Sequence, residues 1–185
     1  MARRRVLTSA AAAVLLVGAC AGDDGNQSQR TGQAEEDVEG VDAVRVTDNH
    51  HTIADLDYDL SPPAGGPHNP VWWNCGFYDQ PVPEENAVHD LEHGAVWLAY
   101  SPDLTDADVA VIHDIVRSGA KVLASPYPDL APGEAVVATA WARQLRLDSV
   151  DDPRLEEFVA EYQDGSQSPE AGGSCLGGPL GEPLP

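Results

Sequence analysis

The stretch Ala95-Val96-Trp97-Leu98-Ala99-Tyr100 is apolar throughout, and it predicts a strand whose two faces are both covered. A helix is predicted after it, because Thr105 is a favourable N-cap and Gly119 a natural end. The apolar residues between them recur at helical spacing: Val109, Ile112 and Val116. A second apolar run over 121–125 follows at once. Strand, helix and strand in this order predict a right-handed βαβ crossover with parallel strands.

The segments on either side of this unit predict the rest of a small sheet. Residues 43–47 alternate between apolar and polar side chains and predict a first strand. The segments 134–140 and 141–147 predict two more strands, which can pair as a hairpin, and 151–162 predicts a last helix. We therefore expect a single domain of the α+β or α/β class, with a small mixed sheet, a βαβ unit and flanking helices. The periodicity leaves the order of the strands open.

Residues 1–19 have the organisation of a bacterial lipoprotein signal peptide. A basic start at Arg3-Arg4-Arg5 precedes an apolar segment over 6–17, which is too short to span a bilayer permanently. Small residues then precede Cys20, as in a lipobox. We therefore predict cleavage before Cys20 and attachment there of fatty-acyl chains such as palmitate. The alternative is an ordinary secretory signal in which Cys20 is incidental.

The charge of the remaining chain argues against nucleic acid as a partner. Residues 20–40 are polar and acidic and predict a flexible tether, which leaves 41–185 as the globular domain. Removal of residues 1–19 takes away three of the 10 basic residues and none of the 31 acidic ones, so the formal net charge moves from −21 to −24. Such a chain repels phosphate backbones and anionic head groups. We expect a cell-membrane protein that is anchored by the lipid on Cys20 and faces the extracytoplasmic side, with its protein partner left open.

Two cysteines remain once Cys20 carries the lipid. In an oxidising compartment Cys75 and Cys175 are expected to form a disulfide, which would close a loop of about 100 residues. This bond would tie the glycine-rich C-terminal end to the domain. The alternative is a pair of thiolates that bind a metal, which fits poorly outside the cytosol.

The segment His89-Asp90-Leu91-Glu92-His93-Gly94 contains the strongest functional signal. Pro83 suits the start of a helix and Gly94 suits its end, so the segment predicts a short helix with both histidines near its C-terminus. Histidines spaced i, i+4 share one helix face, with Cβ atoms about 5–6 Å apart, and can bind one metal ion.

A second motif lies upstream of this helix and completes a pattern. The loop Pro62-Pro63-Ala64-Gly65-Gly66-Pro67-His68, then Gly76-Phe77-Tyr78, then Val88 to Val96 with Tyr100, resembles domain-of-unknown-function family 3105. Its exported members show a Pro-Pro-x-x-Gly-Pro-His loop and a His-x-Leu-Glu-His-Gly core. This sequence departs from the pattern at Ala64-Gly65, where Thr-Ser is commoner, and at Asp90, where a small polar residue is usual. The resemblance implies no established activity, but it strengthens the site.

The leading hypothesis is a metal site built from histidine and carboxylate. We predict four ligands, which are His68, His89, His93 and Glu92, with His51 as an additional ligand and Asp90 as a partner that orients a ligand. The ion would be Zn(II) or Cu(II), because imidazole and carboxylate suit both and because cleavage of the signal peptide removes the only methionine.

Two other interpretations stay open at this point. The pattern His89-x-x-Glu92-His93 also occurs in metal-dependent hydrolases, but Gly94 ends the helix at the motif, where those enzymes continue it. Alternatively the chain is a structural or partner-binding envelope protein in which the histidines are scaffold. A recognition surface is then predicted at Trp72, Trp73 and Tyr78. We expect binding in preference to catalysis and assign no catalytic residue.

Overall fold

The computed structural model describes residues 38–185. The predicted signal peptide over 1–19, the predicted lipidation site Cys20 and most of the predicted tether lie outside the described residues. The described elements follow one another in the order β1 (Asp42–Ala43), β2 (Gly76–Phe77), α1 (Glu84–Glu92), β3 (Val96–Tyr100), α2 (Asp106–Ser118), β4 (Val122–Pro126), β5 (Val136–Ala140), β6 (Arg143–Leu147) and α3 (Arg154–Tyr162).

All of these strands belong to one mixed sheet, in the order β1-β6-β5-β3-β4-β2. The predicted βαβ unit is confirmed, because β3 and β4 are parallel and α2 connects them. The predicted hairpin is also present, since β5 and β6 pair antiparallel from Val136 opposite Leu147 to Ala140 opposite Arg143. The fold is therefore of the α+β class, with β3 inside the sheet.

The prediction of a first strand over 43–47 is wrong for most of these residues. β1 ends at Ala43, although the sequence alternates through residue 47. The Val44 N–H still donates to the Ala142 carbonyl at 2.9 Å, but the chain then leaves the sheet. Val46 instead packs against Trp141 and close to Gly65, where a Cβ would lie 2.8 Å from Val46 Cγ2. The alternation therefore reflects packing against a loop and not a sheet ladder.

The helices cover both faces of the sheet, and β3 shows why its run is apolar throughout. Val96, Leu98 and Tyr100 pack in the core beneath α2 and α3, whereas Trp97 and Ala99 pack in the core beneath α1. Successive side chains of a strand point to opposite faces, so a strand buried on both faces carries no polar alternation. α1 is thus held on the face opposite α2 and α3.

The residues after α3 form a long C-terminal segment (residues 163–185) along the end of α1. The predicted disulfide is present between Cys75 and Cys175, with Cα atoms 5.4 Å apart. Backbone hydrogen bonds continue this attachment, from Glu170 N–H to Glu92 O and from Leu184 N–H to Phe77 O. Within 38–185 no helix has the length and apolar character that crossing a membrane requires.

Candidate metal centre

Helix α1 carries two histidines near its C-terminal end, as its sequence predicts. Pro83 is the N-cap, whereas the sequence predicts it as the first helical residue, and the first turn is acidic, which the helix dipole favours. His89 lies in the last turn and His93 is the C-cap residue. Gly94 follows with a φ of +93°, and a Cβ there would lie 2.8 Å from Asp164 Oδ1. Both the backbone conformation and the lack of space require glycine at this position.

Two further histidines reach this end of α1 from the segment before it. His68 is fully buried, and a parallel bridge pairs its backbone with that of His51. In this bridge Thr52 N–H donates to His68 O at 2.7 Å, and His68 N–H donates to His50 O at 3.2 Å. The His51 ring stacks on the His89 ring, with centroids 5.0 Å apart. Because the His51 side chain is 45% exposed, it forms the solvent side of the group.

The side chains of these histidines converge and a buried carboxylate joins them. The potential ligand atoms of His51, His68 and His89 all lie within 4.8 Å of one another. Glu92 Oε2 lies 3.0 Å from His68 Nε2 and 3.4 Å from His51 Nε2. The second carboxylate oxygen of Glu92 accepts a hydrogen bond from Asn49 Nδ2 at 2.7 Å. We call His51, His68, His89, His93 and Glu92 the histidine cluster.

In three of these rings, Nδ1 forms a hydrogen bond with a backbone carbonyl. The distance from Nδ1 to the carbonyl oxygen is 2.9 Å for His68 and Gly66, 2.7 Å for His89 and Asn69, and 2.6 Å for His93 and Ser174. Because a carbonyl only accepts, each Nδ1 carries a hydrogen, and Nε2 is the nitrogen that has a lone pair when the ring is neutral. Metal-binding histidines are oriented in this way. Scaffold histidines also donate to carbonyls, but here the Nε2 atoms of His89 and His93 also face each other, and His68 Nε2 faces the Glu92 carboxylate.

The electrostatics of the cluster suit a cation. Burial lowers the pKa of His89, and the neighbouring histidines His93, His68 and His51 lower it further. Burial by itself would raise the pKa of Glu92, but the hydrogen bond from Asn49 and the nearby imidazoles of His68 and His51 hold it below its usual value. At neutral pH His89 is therefore uncharged and Glu92 is ionised, which are the forms that bind a divalent ion.

Asp90 lies apart from the histidine cluster. Its Oδ2 accepts a hydrogen bond from the Trp73 backbone N–H at 3.3 Å, and burial raises its pKa well above the usual value. The structure thus joins this predicted orienting residue to the segment that contains Trp73, not to an imidazole. His113, which we did not assign to the site, lies on α2 and contacts Phe77.

The aromatic residues of the predicted recognition surface lie beneath the C-terminal segment. A Cβ on Gly178 would lie 2.6 Å from Trp72 Nε1, and one on Gly181 would lie 2.4 Å from Trp73 Nε1. Tyr78 is buried and donates to Asn74 O at 2.6 Å. The Trp72 ring also contacts the cluster, with its centroid 5.5 Å from that of His93 and 6.0 Å from that of His89. Trp72 therefore packs against the histidine cluster.

Sequence reasoning missed two residues that the structure brings to the cluster. Asn49 donates to Glu92, and Glu170 places Oε2 at 3.5 Å from His93 Nε2. Glu170 is one of many acidic residues, and its side chain is 60% exposed, so nothing in its local sequence marks it. Only the course of the C-terminal segment brings it to His93.

The fold and the site together define a small α+β protein with a buried cluster of imidazoles and carboxylate. The chain belongs to the family described as protein of unknown function (DUF3105), whose sequence model matches residues 50–177. The predicted resemblance is therefore confirmed, and the matched range contains all of the cluster histidines, Glu170 and both cysteines of the disulfide. No curated protein and no solved structure matches the chain.

Proposed function

We propose that this chain is a membrane-anchored extracytoplasmic lipoprotein that binds divalent Zn(II) or Cu(II) through the histidine cluster. The observation that carries the proposal is the convergence of the potential ligand atoms of His51, His68 and His89 within 4.8 Å. Three imidazoles are a sufficient protein ligand set for zinc, with a fourth position left for water or a carboxylate. Glu92 is the carboxylate at hand.

The donor set supports these two ions over softer or harder ones. Imidazole nitrogen with one carboxylate suits zinc and Cu(II), whereas Cu(I) prefers sulfur and Mg(II) or Ca(II) prefer oxygen alone. The disulfide takes Cys75 and Cys175 out of the available thiolates. An ion would reach the buried nitrogens past the half-exposed ring of His51.

The environment of Glu92 supports binding over hydrolysis. A catalytic general base must reach a water molecule with a free carboxylate oxygen. Here Asn49 occupies Oε1, and His51 and His68 both lie against Oε2. The carboxylate is 2% exposed, so its surroundings are those of a ligand and not of a base.

Membrane attachment is supported by sequence and by the disulfide. The basic, apolar and small-residue regions before Cys20 have the order of a lipoprotein signal. A bond between Cys75 and Cys175 agrees with an oxidising, extracytoplasmic compartment. Two acyl chains at Cys20 would hold the domain stably at a membrane surface.

Two neighbouring histidines provide a matched test of metal binding. The full chain, purified in mild detergent and freed of metal with EDTA, is titrated with ZnCl2 by calorimetry. We expect micromolar or tighter binding that His51→Ala weakens roughly tenfold or more, since loss of a ligand should cost at least as much as loss of its orienting partner. His50→Ala should bind like the wild type, because the His50 side chain lies outside the cluster and contacts Asp48. Failure of the wild type to bind zinc would contradict the proposal and favour the scaffold interpretation.

A further inference from the structure

The side of the histidine cluster nearest the C-terminal segment holds a second group of facing ligand atoms. His89 Nε2 lies 3.0 Å from His93 Nε2, and His93 Nε2 lies 3.5 Å from Glu170 Oε2. On the other side, Glu92 Oε2 lies 3.0 Å from His68 Nε2 and 3.4 Å from His51 Nε2. The cluster therefore divides into two halves, each with two imidazoles and one carboxylate.

The hydrogen positions on His89 and His93 favour a cation between their two Nε2 atoms. Both rings donate from Nδ1 to backbone carbonyls, those of Asn69 and Ser174. When both rings are neutral, each carries its lone pair on Nε2, and the 3.0 Å contact then has no hydrogen between the two nitrogens. Lone pairs that face each other repel, and the carboxylate of Glu170 adds negative charge beside them. A cation between these atoms turns the repulsion into attraction.

The distances match the edges of a metal coordination sphere. Zinc–nitrogen bonds of about 2.0–2.1 Å place two tetrahedral ligand atoms roughly 3.3 Å apart. The contacts in both halves, from 3.0 to 3.5 Å, lie close to this separation.

His89 decides how many ions the cluster can hold. Its ligand atom belongs to the group with His51 and His68, and its Nε2 also faces His93. An imidazole nitrogen has one lone pair and therefore binds one ion. When His89 and His93 bind a second ion, His51, His68 and the carboxylate of Glu92 remain available to bind the first.

We propose that the cluster binds two divalent ions side by side. The first is held by His51, His68 and Glu92, and the second by His89, His93 and Glu170. This inference rests on the proposed metal-binding function and goes beyond it, because it doubles the number of ions and assigns a ligand from the C-terminal segment. Each ion has three protein ligands, which leaves a coordination position for water or for an exogenous ligand.

The C-terminal segment supplies one ligand of the second ion, Glu170, and orients another, His93. Glu170 N–H donates to Glu92 O at 3.0 Å, and the Ser174 carbonyl orients the His93 ring. Gly173 lies against this ring so closely that a Cβ would be 2.6 Å from His93 Cγ. The next residue after Ser174 is Cys175, whose disulfide holds the segment in place. These contacts fix both the ligand of the second ion and the orientation of its neighbour.

The test counts zinc ions per chain in matched variants. The full chain in detergent, with any free Cys20 thiol alkylated, is dialysed against rising concentrations of ZnCl2, and bound zinc is measured by mass spectrometry. We expect two ions in the wild type and one in Glu170→Gln, whose change lies on an exposed side chain. His93→Gln should also bind one ion. Glu182→Gln, an exposed acid of the same segment, should keep two.

The outcomes separate this inference from the proposed function. One ion in the wild type, unchanged in Glu170→Gln, would overturn the second site and leave the first intact. Two ions in both proteins would overturn the assignment of Glu170 as a ligand. No zinc in the wild type would overturn both proposals. A spectroscopic readout is independent of counting: two neighbouring Cu(II) ions couple magnetically, so the resonance signal per copper should be weaker in the wild type than in Glu170→Gln.

Discussion

The disulfide between Cys75 and Cys175 allows a quantitative prediction about stability. Its partners are 100 residues apart in sequence, and the chain-entropy model gives about 4.7 kcal/mol for a cross-link that closes such a loop. Both cysteines are buried beside Ala95 in a small apolar group, so alanine can replace them without burying a polar atom. We expect Cys75→Ala/Cys175→Ala to lower the free energy of unfolding by about 4–5 kcal/mol.

Urea unfolding followed by tryptophan fluorescence measures this loss. With a urea m-value of roughly 2 kcal/mol/M, the midpoint should fall by about 2 M. Reduction of the wild type should produce a similar fall, and the double variant should not respond to reductant. The second ion should also bind more weakly in the variant, since Ser174 and Glu170 lie just before Cys175. A loss below about 1 kcal/mol would refute the reasoning and show that the reduced, unfolded chain is already constrained.

Three further predictions concern metal, pH and membrane attachment. Free zinc at one hundred times the dissociation constant of a site should stabilise the wild type by about 2.7 kcal/mol for each ion bound, and each ion should raise the melting temperature by roughly 5–10 °C. The free energy of unfolding should fall as the pH rises above 10. Burial, reinforced by the charge of Asp79, raises the pKa of Tyr100 to about 12 in the folded protein. The unfolded chain therefore loses the phenol proton at a lower pH than the folded protein does. Cys20→Ser should move the protein from the detergent phase to the aqueous phase in Triton X-114 partition.

Controls make each of these outcomes decisive. The thermal shift should shrink in His51→Ala but not in His50→Ala, and an equal shift in both would place the zinc elsewhere. Urea midpoints that stay constant from pH 9 to pH 12 would contradict the role given to Tyr100. A Cys20→Ser protein that remains in the detergent phase would show that something other than a lipid on this residue anchors the chain.

Elements with strong local signals were predicted correctly. The βαβ unit could be identified because β3 and β4 are apolar and Thr105 begins a helix with a capping box. The helix with His89 and His93 could be identified because Gly94 ends it. β2 was missed because it is two residues long, and its place at the sheet edge comes from pairing with β4.

The sequence identified candidate ligands by their type and motifs, but not how they come together. The pair His89 and His93 could be identified from helical spacing, and the loop motif pointed to His68. His51 was predicted as an additional ligand, but its place could not be predicted, because it reaches the cluster through a backbone bridge to His68 that periodicity does not show. Glu170 follows α3 in the C-terminal segment, and the position of this segment depends on the disulfide.

The sequence by itself determined which residue types are present and which lie on a common helix face, because helix spacing and termination are local effects. Only the tertiary structure decided that the ligand atoms meet. The His68–Glu92 contact spans 24 residues and the His93–Ser174 contact spans 81. Contacts over such separations depend on how the sheet, the loop and the C-terminal segment pack together. The same packing set the hydrogen on Nδ1 of each buried ring, and so turned Nε2 of His68, His89 and His93 toward the cluster.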